Sequence, residues 1–289
     1  MTWTLTEDVA EFRAHAEGFL GEHPAANTVL LTIVHRLAAG QSVGGDPTLP
    51  PRFGWWRADP QTPVTAAFAQ TPPHAVRLSE MAAERAAELA LALPAEAWSG
   101  LAGVAGATAA VEAFAAAWAQ RFDLATDVRE RLRLYRLGEL VLPRVPGQLR
   151  AAGPDDHGLV VGWWQAFLTE VGMPAFAPVE ESVARRTAEG DILIWEDGGA
   201  DGQGRPVSMA AVSPVLAGMS RIGPVYTPPE ERGHGYASAV TAGVSALAIE
   251  RGAREVLLYT DVTNPVSNSI YPKIGYRPVA ENLDLGFAG

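Results

Sequence analysis

The sequence contains no cysteine, and this absence removes several kinds of chemistry at once. Disulfide bonds, thiolate metal sites and cysteine nucleophiles all require a sulfhydryl group. No unbroken apolar run approaches the roughly 20 residues that a membrane-spanning helix needs. The amino terminus, MTWTLTED, has neither the basic segment nor the apolar core of a secretory signal. We therefore predict a cytoplasmic protein that does not interact with a membrane, and we predict no metal site.

The chain also lacks an excess of positive charge. Its formal net charge is −11 at pH 7, whereas surfaces that bind nucleic acid are basic because they must neutralise phosphates. We therefore predict no nucleic-acid partner. A small anion can still bind, since backbone N–H groups create a local positive field. With 289 residues and 48% hydrophobic content, the chain can bury a substantial core, and its length favours two domains.

The first half of the sequence predicts a folded domain without a site of its own. Apolar spacing and capping residues indicate the order helix, helix, three strands, helix, strand, helix and strand. The first helix is expected to begin near Thr6, with Glu7 and Asp8 in its first turn. Two prolines and a glycine punctuate residues 143–147, and we place the boundary there. The predicted domains are residues 1–145 and 146–289.

The second half repeats this order of elements, which predicts an ancient duplication. The fold class is therefore α/β, with strands and helices forming a mixed sheet in each half. In the second half we expect helices at about 155–171, 178–189, 236–251 and 265–273, and strands at about 148–152, 191–195, 207–213, 220–227 and 255–261, before a final strand.

The stretch from Val225 to Ser238 has the pattern of an anion site. An apolar strand enters a Pro and Glu turn, passes two glycines and continues into a segment with helical periodicity. The first N–H groups of a helix have no partner within it, and the helix dipole is positive there. Gly233 and Gly235 have no Cβ, so a phosphate could approach these groups, although glycines at such a turn are more often plain turn residues. The corresponding turn of the first half, residues 77–81, contains no glycine, so we predict no phosphate site there.

Two motifs of the second half resemble the GNAT superfamily of acyl-CoA-dependent N-acyltransferases. Arg232, Gly235 and Ala237 fit the pattern of Arg or Gln, two residues, Gly, one residue, then Gly or Ala. The segment 264–276, NPVSNSIYPKIGY, resembles the family's Asn, small residue, apolar residue and Tyr, followed by Gly and an aromatic residue. The resemblance covers about residues 147–287, and only the element order extends it to the first half. It implies two tandem GNAT-like domains, each a twisted mixed sheet flanked by helices, of which the first is a degenerate copy.

The resemblance assigns roles by position and implies acetyl-CoA as the acyl donor. The backbone of Val225 and Thr227 would pair with the pantetheine arm, as an added strand does. An N–H group near Val225 or Tyr226 would polarise the thioester carbonyl. Tyr271 would donate a proton to the departing thiolate, and Asn264 would fix the thioester end or the local backbone. The remaining residues placed at the donor are Arg232, Gly233, His234, Gly235, Tyr236, Ala237 and Ser238 at the pyrophosphate, and Ser267.

Several of these assignments have alternatives. Asn264 could serve only as the N-cap of its helix, and Asn268 could share or replace its role. Tyr271 could only pack against a strand, and we expect His234 to lie in solvent. The strand at 220–227 carries no acid, so we predict a base relayed by water or a weakly activated amine.

The function implied by the resemblance is N-acetyl transfer from acetyl-CoA to an amine of a small molecule or peptide by direct attack. The protein is expected to be a monomer or a homodimer. The alternative from another class is an acyl-CoA-binding sensor or regulatory module without turnover. A nucleotide-binding enzyme is disfavoured, because the acidic ribose partner expected after a dinucleotide loop has no candidate.

Overall fold

The computed structural model describes residues 2–46, 48–173, 178–198 and 204–288. Its contacts divide the chain into two compact units. The first comprises Met1–Leu134, Asp261–Thr263 and Ala280–Gly289, and the second comprises Tyr135–Thr260 and Asn264–Val279. Residues 135–145 therefore group with the second unit, and the predicted domain division at residue 145 stays a prediction. Among the described helices, none combines the length and apolar character needed to cross a bilayer.

The first unit is built mainly from the N-terminal half. Strands β1 to β5 lie side by side in that order, antiparallel except for the parallel pair β4 and β5. Its elements are β1 (Thr2–Thr6), α1 (Val9–Glu22), α2 (Thr28–Ala38), β2 (Arg52–Arg57), β3 (Ala66–Gln70), β4 (Val76–Leu78), α3 (Ala83–Ala92), α4 (Ala95–Trp98), β5 (Gly103–Ala107), α5 (Thr108–Phe122) and β6 (Ala125–Leu137), the last of which continues into the second unit.

The start of the chain differs from the prediction. Thr2–Thr6 forms a strand paired with β2, and α1 begins only at Val9. Asp8 is the N-cap of α1, where its side chain accepts hydrogen bonds from the N–H groups of Ala10 and Glu11, and is not in the first turn. The helix predicted from the sequence is present but begins later than predicted. A strand with alternating Thr residues precedes its N-cap.

Apart from the short helix α4, the second unit repeats the order of elements found in the first, as predicted. Strands β7 to β11 are neighbours in sequence order, antiparallel except for the parallel pair β10 and β11. Its elements are β7 (Gln148–Ala151), α6 (His157–Glu170), α7 (Val179–Ala188), β8 (Ile192–Gly198), β9 (Gly204–Val212), β10 (Met219–Tyr226), α8 (Tyr236–Glu250), β11 (Glu255–Asp261), α9 (Pro265–Ile270) and β12 (Tyr276–Ala288), whose later residues belong to the first unit.

Apolar clusters explain why helices cover these strands. In the first unit, Phe114 and Trp118 of α5 stack 5.8 Å apart in a buried cluster with α3 and β5. In the second unit, one cluster joins α8 to β10 and β11, and another joins α6 and α7 to β8 and β9. Burial of this apolar surface is the main term that stabilises each unit.

Candidate functional site

Strand β10 separates from β11 before it ends. Its parallel pairing with β11 ends where Ile222 stands opposite Leu258. Its antiparallel pairing with β9 continues to Tyr226 after a register shift. Gly223 lies in the shifted segment with a φ of +149°, which residues with a side chain rarely adopt. The backbone around Val225 therefore lies beyond the pairing with β11, which is the opening that an added strand-like ligand requires.

The loop between β10 and α8 presents backbone N–H groups to solvent. Gly233 and Gly235 have φ angles of +86° and +87°. Gly235 is the N-cap of α8, and no side chain among the described residues caps this helix. Residues 232–235 are exposed, while Ala237 and Ser238 in the first turn are half-buried. The first amides of α8 thus remain open to an anion.

Arg232 lies at the rim of this loop and is tied to the protein on two sides. Its Nε donates a hydrogen bond to the carbonyl oxygen of Thr227 at 3.0 Å. Its Nη2 donates to both carboxylate oxygens of Glu170, at 2.7 and 2.8 Å. The two side chains are 49% and 44% exposed, respectively. The positive charge of Arg232, which the resemblance places at the pyrophosphate, is therefore paired with an acid at the end of α6.

His234 and Tyr236 form a small aromatic pair beside the glycines. His234 is exposed, as expected, and its ring stacks on that of Tyr236 with centroids 5.4 Å apart. Tyr236 is buried, and its hydroxyl donates to Asp197 Oδ2 at 2.9 Å. Burial, and then the hydrogen bond to Asp197, raise the pKa of Tyr236. This pair anchors the start of α8 beside the exposed residues of the loop.

The acids near the loop and at the end of β8 are engaged by other groups. Glu231 forms an ion pair with Arg205, which lowers the pKa of Glu231. Glu196 accepts from Arg150 Nε at 2.6 Å and is only 8% exposed. Asp197 accepts from Tyr236, as described above. These contacts explain the acids as structural groups and leave none of the three free to act as a base.

Asn264 is the N-cap of α9. Its Oδ1 accepts a hydrogen bond from the N–H of Ser267 at 3.0 Å. Its carbonyl oxygen accepts from the N–H of Asn268 at 3.1 Å and from Asn268 Nδ2 at 2.7 Å. These hydrogen bonds confirm that Asn264 is the N-cap of α9, which the sequence offered as an alternative role. The role of Asn264 at the donor stays a prediction.

Tyr271 follows α9 and is 6% exposed. Burial raises its pKa to about 12, although a hydrogen bond with the side chain of Ser267 opposes the shift. Its ring lies 6.1 Å from those of Tyr135 and Tyr276, measured between centroids. The hydroxyl is therefore protonated at neutral pH, as a general acid must be. The sequence motifs did not identify Tyr135, because Tyr135 and Tyr271 are far apart in the sequence although their rings are in contact.

The predicted residues fall into two groups. The first joins the end of β10 to the loop through the hydrogen bond between Arg232 and Thr227. The second comprises Asn264, Ser267 and Tyr271 on α9 and the turn after it. Both groups belong to the second unit and follow the two neighbouring strands that separate at Ile222. The arrangement can receive an extended ligand whose anionic end faces the loop.

Comparison with known proteins finds structures of similar fold. Residues 202–284 match the family described as FR47-like protein. No curated protein matches the chain. A GCN5-related N-acetyltransferase from Sphaerobacter thermophilus is similar over 99% of this chain and 95% of its own, with 15% identity and a TM-score of 0.62. A GNAT-family acetyltransferase from Colwellia psychrerythraea is similar over 99% of both chains, with 10% identity and a TM-score of 0.59.

A third similar structure is a tandem GNAT protein from the clavulanic acid biosynthesis pathway. The similarity covers 99% of this chain and 98% of that protein, with 14% identity and a TM-score of 0.52. The resemblance to the GNAT superfamily and the tandem α/β fold are therefore confirmed for the fold. Such low identities leave the reaction and its substrates to the chemistry of the site.

Proposed function

We propose that this protein is an N-acyltransferase that transfers an acetyl group from acetyl-CoA to an amine of a small molecule or peptide. The observation that supports the proposal most is the separation of β10 from β11 beside a glycine loop that opens into an uncapped helix. Gly233, Gly235 and the first amides of α8 would hold the pyrophosphate of the donor. The backbone from Val225 to Thr227 would pair with its pantetheine arm.

The chemistry follows from what these groups can do. The N–H group near Val225 or Tyr226 stabilises the negative charge that builds on the thioester oxygen as the amine attacks. Tyr271 gives a proton to the sulfur as the carbon–sulfur bond breaks, and the attacking nitrogen loses its proton through water. Glu196, Asp197 and Glu231 are engaged elsewhere, which supports a water relay over a carboxylate base.

A change in melting temperature tests the donor site. CoA at millimolar concentration should raise the melting temperature, because a ligand that binds only the folded state stabilises it. The absence of any shift would remove the proposal. Release of free CoA in the presence of a panel of amines would then identify the acceptor.

A binding module without turnover remains the second candidate, because Tyr271 is nearly buried. Tyr271→Phe separates the two. In an enzyme that uses this acid, turnover falls by about 100-fold or more while CoA affinity stays nearly unchanged. With a Tyr271 pKa of about 12, wild-type turnover should also show no loss that titrates near pH 10. An unchanged rate in the variant would remove Tyr271 from the mechanism.

A further inference from the structure

Tyr135 forms a hydrogen bond with the first turn of α9. It lies near the end of β6 and is 3% exposed. Its hydroxyl donates a hydrogen bond to Asn268 Oδ1 at 3.0 Å. The amide nitrogen of the same Asn268 side chain donates to the carbonyl oxygen of Asn264 at 2.7 Å. The hydroxyl thus fixes which way the Asn268 amide faces, and the amide in turn holds the N-cap.

The same turn carries the residues predicted to act at the donor. Ser267 donates its N–H to Asn264 Oδ1, and its side chain hydrogen-bonds with Tyr271. The rings of Tyr135 and Tyr271 also pack against each other, with centroids 6.1 Å apart. Tyr135 therefore contacts the α9 segment at two points, one through a hydrogen bond and one through its ring.

The strand that carries Tyr135 is held firmly against this segment. The next residue, Arg136, forms an ion pair with Glu255 at the start of β11. Further along, the N–H of Gly138 donates to the carbonyl oxygen of Gly275 at 3.0 Å, and the N–H of Val141 donates to Ile274 at 3.1 Å. Tyr135 thus projects from backbone that is itself bonded to the turn after Tyr271, so it can hold α9 in place.

We propose that Tyr135 is a positioning residue of the acyl-donor site, whose hydroxyl holds Asn268 and thereby the first turn of α9 that presents Ser267 and Tyr271. The inference rests on the proposed function for its catalytic meaning. The hydrogen bond from Tyr135 to Asn268, which we call the brace, is a property of the folded chain. Its effect on α9 can be measured without a ligand.

The chain offers a matched control. Tyr276 is fully buried, its ring also lies 6.1 Å from that of Tyr271, and its hydroxyl shares a 2.7 Å hydrogen bond with Ser245 of α8. Tyr135→Phe and Tyr276→Phe each delete one hydroxyl from the same aromatic cluster. Only the first deletes a bond to α9.

Hydrogen exchange tests the brace directly. In Tyr135→Phe the N–H groups of Ser267 and Asn268 should exchange about fivefold faster than in the wild type, as expected for one lost hydrogen bond. In Tyr276→Phe their exchange should stay within about twofold of the wild type, even if global stability falls. Equal acceleration in both variants, or none in Tyr135→Phe, would overturn the inference.

Turnover measurements test whether Tyr135 contributes to catalysis by orienting Tyr271. Tyr135→Phe should lower kcat by about 3- to 10-fold because the Tyr271 hydroxyl is less well oriented, whereas the Kd for CoA should stay within about twofold. Tyr276→Phe should retain kcat. A kcat loss that follows melting temperature in both variants would show a merely structural role and contradict the proposal. If exchange responds as expected but wild-type protein binds no CoA, the proposed function fails while the brace stands.

Discussion

The two units contain corresponding strand, turn and helix segments that differ in how the turn before the helix is held. In the first unit one amide of the turn between β4 and α3 is held by a side chain, although Ala82, the N-cap of α3, makes no side-chain capping hydrogen bond. The N–H of Glu80 donates to Asn27 Oδ1 at 3.0 Å, and Asn27 is 1% exposed. In the second unit Gly235 is the N-cap of α8, and no described side chain occupies that position. Asn27 thus occupies one amide of the turn in the first unit, whereas Gly233 and Gly235 leave the corresponding loop of the second unit exposed and place no side chain at those two positions that would keep an anion away.

The parallel strand pairs beside these turns also differ between the two units. In the first unit, a Cβ added at Gly106 of β5 would lie 3.0 Å from the carbonyl oxygen of Leu78, the last residue of β4. The end of β4 is therefore packed closely against β5. In the second unit β10 leaves β11 after Ile222 and bends at Gly223. We therefore propose a donor site in the second unit, where the pairing of the strands ends early beside an exposed glycine loop, and none in the first.

Substitution of Gly235 should have the largest effect on this difference. Gly235→Ala places a Cβ at a φ of +87° and 3.0 Å from Val145 Cγ2, so the loop is strained unless its backbone and Val145 readjust. We expect CoA affinity to fall by about tenfold or more, since the strain is on the order of 1–3 kcal/mol. Calorimetric titration with CoA measures this affinity.

Gly252→Ala is the matched control for this change. Gly252 follows the other end of α8, has a φ of +89°, and has open space where the Cβ would lie. It should destabilise the fold by roughly 1 kcal/mol yet leave CoA affinity unchanged. Equal loss of CoA affinity in both variants would mean that strain in α8, and not the loop, controls binding.

Removal of the Asn27 side chain, which holds the N–H of Glu80 in the first unit, should affect stability and not CoA binding. Asn27→Ala leaves the N–H of Glu80 without its partner and also deletes the hydrogen bond from Asn27 Nδ2 to Leu20. We expect the free energy of unfolding to fall by about 1–3 kcal/mol, measured by urea denaturation. CoA affinity of the folded protein should not change. A large change in affinity would contradict the view that this turn has no part in donor binding.

Neutralisation of Glu170 should produce the smallest effect. Glu170→Gln removes the carboxylate that faces Arg232, so the loop gains net positive charge. We expect CoA to bind about 2- to 5-fold more tightly at low ionic strength, with the gain declining as salt is added. Glu230→Gln removes the same charge from the exposed turn before the loop and should have less effect. Weaker binding in Glu170→Gln would instead make the ion pair a structural requirement.

The sequence predicted those features that depend on local spacing. Strand β11 was expected at residues 255–261 and lies there, and the glycine loop and α9 follow the strands as expected. The sequence did not predict contacts between distant residues. Tyr135 and Asn268 are 133 positions apart, and Arg232 and Glu170 are 62 apart. Asn282 to Gly286 pair with β5, far earlier in the chain. Such contacts depend on packing, which no motif records.

The number of CoA molecules bound per chain tests the central claim most directly. Titration calorimetry of the full chain should give one site, because within the described residues it is the second unit in which the parallel strand pairing ends early beside an exposed glycine loop. Gly235→Ala should weaken that same site. Two sites per chain, or one site whose affinity is unaffected by Gly235→Ala, would contradict the account.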